Sequence, residues 1–133
     1  MPKIILFILT VLISTAAYAE NIIIDNQTPY GSKDKTSKIA IQWASSVRET
    51  QEINNAMQQG LKMNADGLNS LSKTGKITLN VPNKANYFRV VVWSKQASEP
   101  DFVTNWVNVT ANKTYALGSD HLVPVPLMAG MGC

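Results

Sequence analysis

Period-two alternation is the feature that most limits what this chain can fold into. In Lys38–Ala44 the apolar Ile39, Ile41 and Trp43 share one face, while Lys38, Ala40 and Gln42 take the other. Residues 76–81 repeat the pattern with Ile77, Leu79 and Val81, and residues 102–110 alternate again. Alternation at this period places every second side chain on one face of a strand. Residues 87–94 are apolar on nearly both faces, as in a strand at the centre of a sheet. Asn21–Asn26, with its three isoleucines, and Thr114–Leu117 add two more strand-length runs, and residues 61–65 are a further short candidate. Polar turns separate these runs, marked by Pro29 and Gly31, by Pro82-Asn83-Lys84, by Pro100 and by Ala111-Asn112-Lys113. Short strands broken this often predict an all-β fold, a single antiparallel β-sandwich. Only residues 46–59 depart from the pattern. They fit one short helix with Ser46 as N-cap and Gly60 as stop, on a thin apolar stripe.

The first nineteen residues lie outside that pattern. Lys3 gives a short positive start, residues 4–13 are apolar apart from Thr10, and Ala17-Tyr18-Ala19 puts small residues where a signal peptidase acts. The apolar run is about half of the ~20 residues that a membrane-spanning helix needs. Residues 1–19 are therefore expected to be a Sec-type signal peptide cleaved before Glu20, and the protein to be exported, periplasmic or secreted. Residues 20–133 then form one domain ending in an apolar tail, 122–133, in which Pro124 and Pro126 exclude a central strand. Setting Lys3 aside leaves eleven basic against nine acidic side chains, a formal +2. That is too mild a balance to predict nucleic-acid binding. Cys133 is the single cysteine, so no internal disulfide is expected. Its candidate role is an intermolecular bond, and with it a homodimer.

The residues that carry chemistry are sparse. Ser119-Asp120-His121 has the composition of a hydrolytic triad written in a row, but neighbours on an extended strand point to opposite faces and cannot align. One histidine and one cysteine do not build a typical zinc site, and neither a nucleophile elbow nor a Gly-rich phosphate loop occurs. The carboxylate pairs Glu49/Glu52 and Glu99/Asp101 sit in polar stretches where solvation is the default. Catalytic residues, cofactors and metals are thus not expected, and the chain is not expected to be an enzyme. Asn26, Asn108 and Asn112 each begin an Asn-x-Thr sequon, which matters only in a eukaryotic secretory pathway.

Aromatic residues are more numerous: Trp43, Tyr87, Phe88, Trp93, Phe102, Trp106 and Tyr115. Trp43 lies on the apolar face of its strand and is expected to be buried. Trp93 and Trp106 flank a loop that also holds Phe102. These three are the candidate ligand or membrane contacts, since an amphipathic ring suits a lipid interface.

Several segments also resemble the aegerolysins. Ile22-Ile23-Ile24-Asp25-Asn26 is similar to that family's first strand, and Ile39-Ala40-Ile41-Gln42-Trp43 to its second. Leu61-Lys62-Met63-Asn64-Ala65-Asp66-Gly67, followed by Thr74-Gly75, resembles its Asn-Ala-x-Gly strand and Thr-Gly turn. Residues 89–93 and Asn105-Trp106 fall where the family has a Trp-ended strand and an Asn-x-Trp segment. The family's Trp-Asp-x-Pro-Trp motif is absent, because Ser94-Lys95-Gln96 follows Trp93. The resemblance implies a small β-sandwich that binds membrane lipid.

The expected function is that of an exported non-enzymatic binding protein, with membrane lipid as partner. The other expected reading is an immunoglobulin-like periplasmic or surface module that binds another protein through the tail and Cys133. Intact-mass analysis of the exported protein under non-reducing conditions should give a chain beginning at Glu20. A monomer as the sole species would remove the Cys133 bridge.

Overall fold

The computed structural model describes residues 20–31, 37–59, 68–71, 74–95 and 99–128. The signal segment, the short candidate strand at 61–65, Gly60 and Cys133 lie outside the described residues. The central strand is β5 (Tyr87–Trp93), buried on both faces from Phe88 onward. It pairs antiparallel with β2 (Lys38–Ala44) along seven positions, from Lys38–Trp93 to Ala44–Tyr87. On the far side of β2 lies β3 (Asn69–Ser70). On the other side of β5 the chain lays down β6 (Phe102–Val103) and then β7 (Val107–Asn108), and β9 (Val123–Pro124) closes that edge against β6. A second sheet has the order β4-β1-β8, from β4 (Gly75–Asn80), β1 (Asn21–Asn26) and β8 (Thr114–Leu117). The β1–β8 pair is parallel, in an otherwise antiparallel sandwich. Parallel neighbours need a crossover connection, and here the rest of the domain supplies it.

Alternation decides what each face meets. Ile39 and Ile41 of β2, with Phe88, Val90 and Val92 of β5, face Ile22 and Ile24 of β1 and Leu117 of β8, and together they form the inter-sheet core. Trp43 joins this core half-buried, its ring tilted 56° to that of Phe88 at 6.1 Å. Its Nε1 and Asn21 Oδ1 are buried atoms without hydrogen-bond partners among the described residues. The fold is thus the all-β sandwich with one short helix that the sequence predicts.

Three local expectations are corrected. The outer face of β2 is open to solvent only at Lys38: Ala40 and Gln42 are buried, because α1 (Val47–Gln58) covers that face. Ser46 caps this helix by accepting the Glu49 backbone N–H at 3.1 Å. The helix's apolar stripe looked thin because its buried face carries Thr50 and Asn54 beside Met57. The alternating run at 102–110 is two short strands, not one. It breaks where Thr104 Oγ1, rather than a carbonyl, accepts the Val90 N–H at 2.9 Å. Residues Ser119–His121 form a 3-10 turn rather than an extended strand. Three residues per turn spreads successive side chains around the axis, so the three still do not align as a triad.

Two glycines adopt left-handed backbone, Gly31 at φ 92° and Gly75 at φ 85°. A Cβ at Gly31 would lie 2.6 Å from Ile39 Cγ2 and 2.8 Å from the Leu71 carbonyl oxygen, whereas a Cβ at Gly75 meets nothing within 4 Å. Gly75→Ala should therefore cost about 1–2 kcal/mol, the left-handed penalty alone. Gly31→Ala should cost clearly more, roughly 3 kcal/mol, because a backbone clash adds to the strain. Urea denaturation of the two variants checks the ranking.

Candidate functional site

The two sheets do not close on each other everywhere. Between β8 on one side and β5, β7 and β9 on the other lies a cleft of about 400 Å³. Its floor is Ile24, Phe88, Val90 and Leu117, all buried core residues. Its rim carries the exposed side chains of Asn105, Asp120 and His121. An apolar concavity edged by a few polar groups is the usual form of a small-molecule site. Tyr115 closes one end. Its ring meets Phe88 edge-on at 4.8 Å, and its hydroxyl donates to Asn108 O at 2.8 Å while accepting the Thr110 N–H at 2.9 Å. That side chain ties β8 of one sheet to the β7 end of the other.

At the opposite end the 3-10 turn orders the rim. The Gly118 N–H donates to His121 Nδ1 at 3.0 Å. With Nδ1 as acceptor, Nε2 is the ring nitrogen left to donate. Among the described residues no hydroxyl or thiol is hydrogen-bonded to His121. Nor does any group of three or more His, Cys, Asp or Glu among them converge on a point where a metal ion could bind.

A second polar cluster lies beneath α1. Arg89 is 0 % exposed. Its Nε donates to Gln42 Oε1 and its Nη1 to Asn54 Oδ1, both at 2.7 Å. Nη1 also lies 3.1 Å from Met128 Sδ. The guanidinium stacks over the Trp106 ring, 4.6 Å from its centroid, and Trp106 Nε1 donates to the same Asn54 Oδ1 at 3.0 Å. No carboxylate among the described residues is bonded to it. Burial pushes the guanidinium down to about 10. A cation whose pKa falls on folding opposes folding at every pH below the lowered value, here by roughly 3 kcal/mol. Relief comes only above about pH 10, so the group is no switch in the neutral range. Two charge-assisted hydrogen bonds at about 1.5–3 kcal/mol each, with an indole face worth about 1–2 kcal/mol, offset that cost.

The candidate contact residues separate between these layers. Trp93 is 2 % exposed, on the helix side with Val91 and Met57. Trp106 is half-buried on the same side against Arg89. Phe102 turns the other way and stacks on Tyr30 with centroids 6.5 Å apart. The three do not form one displayed surface. Three of the four carboxylates that the sequence pairs are otherwise engaged: Glu49 accepts from Ser45, Glu52 pairs with Arg48 in solvent at 3.1 Å, and Asp101 accepts from Ser94. Of the sequon asparagines, Asn26 is buried and bonded to Tyr30 O.

Sequence reasoning missed both sites. Arg89 did leave a signal, as the one charged residue in an otherwise apolar strand. The cleft left none, because it is a gap between sheets and belongs to no single segment. No protein-family model, no curated protein and no solved structure matches the chain.

Asn54 serves two buried donors at once. Asn54→Leu should therefore cost about 2–4 kcal/mol by leaving the Arg89 and Trp106 N–H groups unpaired. Met57→Leu, nearly conserved in volume, should cost under about 1.5 kcal/mol. Chemical denaturation of both variants checks the difference.

Proposed function

We propose that this chain is an exported, non-enzymatic binding protein that holds lipid in its inter-sheet cleft. The observation that carries the reading is the cleft itself, with an apolar floor, a polar rim and a volume of about 400 Å³. At ~30 Å³ per water-sized unit it has room for roughly a dozen heavy atoms. Burying ten methylenes at ~0.8 kcal/mol each gives about 8 kcal/mol. That corresponds to a Kd near 1 μM, before the cost of immobilising the chain. The protein is therefore read as a reversible carrier of one acyl-sized chain. The resemblance to aegerolysins points to the same class of ligand. In this reading the lipid contacts are Ile24, Phe88, Val90 and Leu117 rather than Trp93, Phe102 and Trp106, and export rests on the character of residues 1–19.

One observation favours the second reading, an immunoglobulin-like module that binds another protein. Leu127 is 72 % exposed just after edge strand β9, where an apolar side chain beside an open edge suits strand addition.

The apolar dye N-phenyl-1-naphthylamine distinguishes the two. It should bind the purified domain with a rise in fluorescence and be displaced by long-chain lipids. Val90→Phe fills the floor of the cleft, so it should weaken dye binding about tenfold while leaving the thermal midpoint no lower, as cavity filling does. Unchanged dye affinity in a folded Val90→Phe protein would overturn the lipid reading.

A further inference from the structure

We infer that the cleft selects single-chain amphiphiles with an uncharged polar head and discriminates against the same chains carrying a carboxylate. This rests on the lipid-binding reading of the cleft and specifies its ligand class. The argument is one of charge. Asp120 is exposed at the rim, and among the described residues no lysine or arginine lines the cleft. His121 has its Nδ1 taken up by the Gly118 N–H. Thr104 Oγ1 is already committed, accepting from Val90 N and donating to Asn105 O. Lys113, which precedes β8, is drawn to the Tyr115 ring, 5.0 Å from its centroid. That is the end of the cleft that the Tyr115 hydroxyl closes. The open rim therefore offers an anionic head one like charge and, among the described residues, no lysine or arginine to offset it. A hydroxyl head can use the same rim donors, His121 Nε2 and the Asn105 amide, without an ion having to be desolvated.

Dye displacement with decanol and decanoate at pH 8, below the solubility limit of the first and the micellar concentration of the second, tests this. Decanol should displace the dye at a concentration about three- to tenfold lower than decanoate. That is the size of effect a like charge ~6 Å away exerts near a wetted surface. The ratio should shrink in 0.5 M salt as the repulsion is screened. Asp120→Asn, an exposed and nearly isosteric change, should raise decanoate affinity severalfold and narrow the ratio at low salt. Equal displacement by the two amphiphiles would overturn the selectivity while leaving lipid binding intact, as would a decanoate affinity unmoved by Asp120→Asn. Failure of the dye to bind at all would overturn both.

Discussion

Seven residue pairs between β2 and β5 form the ladder on which both faces of the molecule are built. The ladder is buried on its two sides for different reasons. Towards the second sheet it presents Ile39, Ile41, Phe88, Val90 and Val92, an apolar surface that any sandwich requires. Towards α1 it presents Ala40, Gln42, Arg89, Val91 and Trp93, a mixed surface that water would tolerate in part. Because period-two alternation fixes which residue goes where, a slip of one position would exchange these two faces. Arg89 would then enter the inter-sheet core, where no acceptor waits for it. The polar residues of the outer face thus hold the register that positions the cleft.

What could be read from the residues was local. The runs that became β1, β2, β4, β5 and β8 carry their period in a few consecutive residues, and Ser46 sits three residues before the N–H group it caps. The short β9 edge follows from Pro124 and Pro126. What could not be read depends on distant partners. Asn54 and Arg89 are thirty-five residues apart, so nothing in either segment names the other. The burial of Gln42 depends on where α1 lands. The 3-10 turn at Ser119–His121 depends on a histidine accepting from the backbone three residues earlier, which a strand-like composition conceals. The cleft is the extreme case, since its lining comes from five strands and its existence is a matter of spacing.

The two polar features described above share one physical logic. Beneath α1 a cation is placed among neutral acceptors and an indole face, and the hydrogen bonds decide whether burial is tolerable. At the cleft rim an anion is left in water beside an apolar floor, and under the selectivity proposed above its charge decides which head group is tolerable. One site excludes solvent and fixes structure; the other stays open to solvent.

The parallel pairing of β1 with β8 carries a kinetic consequence. Ile23 opposes Thr114 and Asn26 opposes Leu117, so the first strand of the domain finds one neighbour only near its far end. The β2–β5 ladder closes a shorter loop and can form early. The β1–β8 contact must wait until almost the whole chain is available and must bear the loop entropy of that span. Contacts of such long sequence separation slow folding. The cleft, whose wall is β8, is therefore the last part of the domain to exist, and a ligand lodged there would report that assembly is complete.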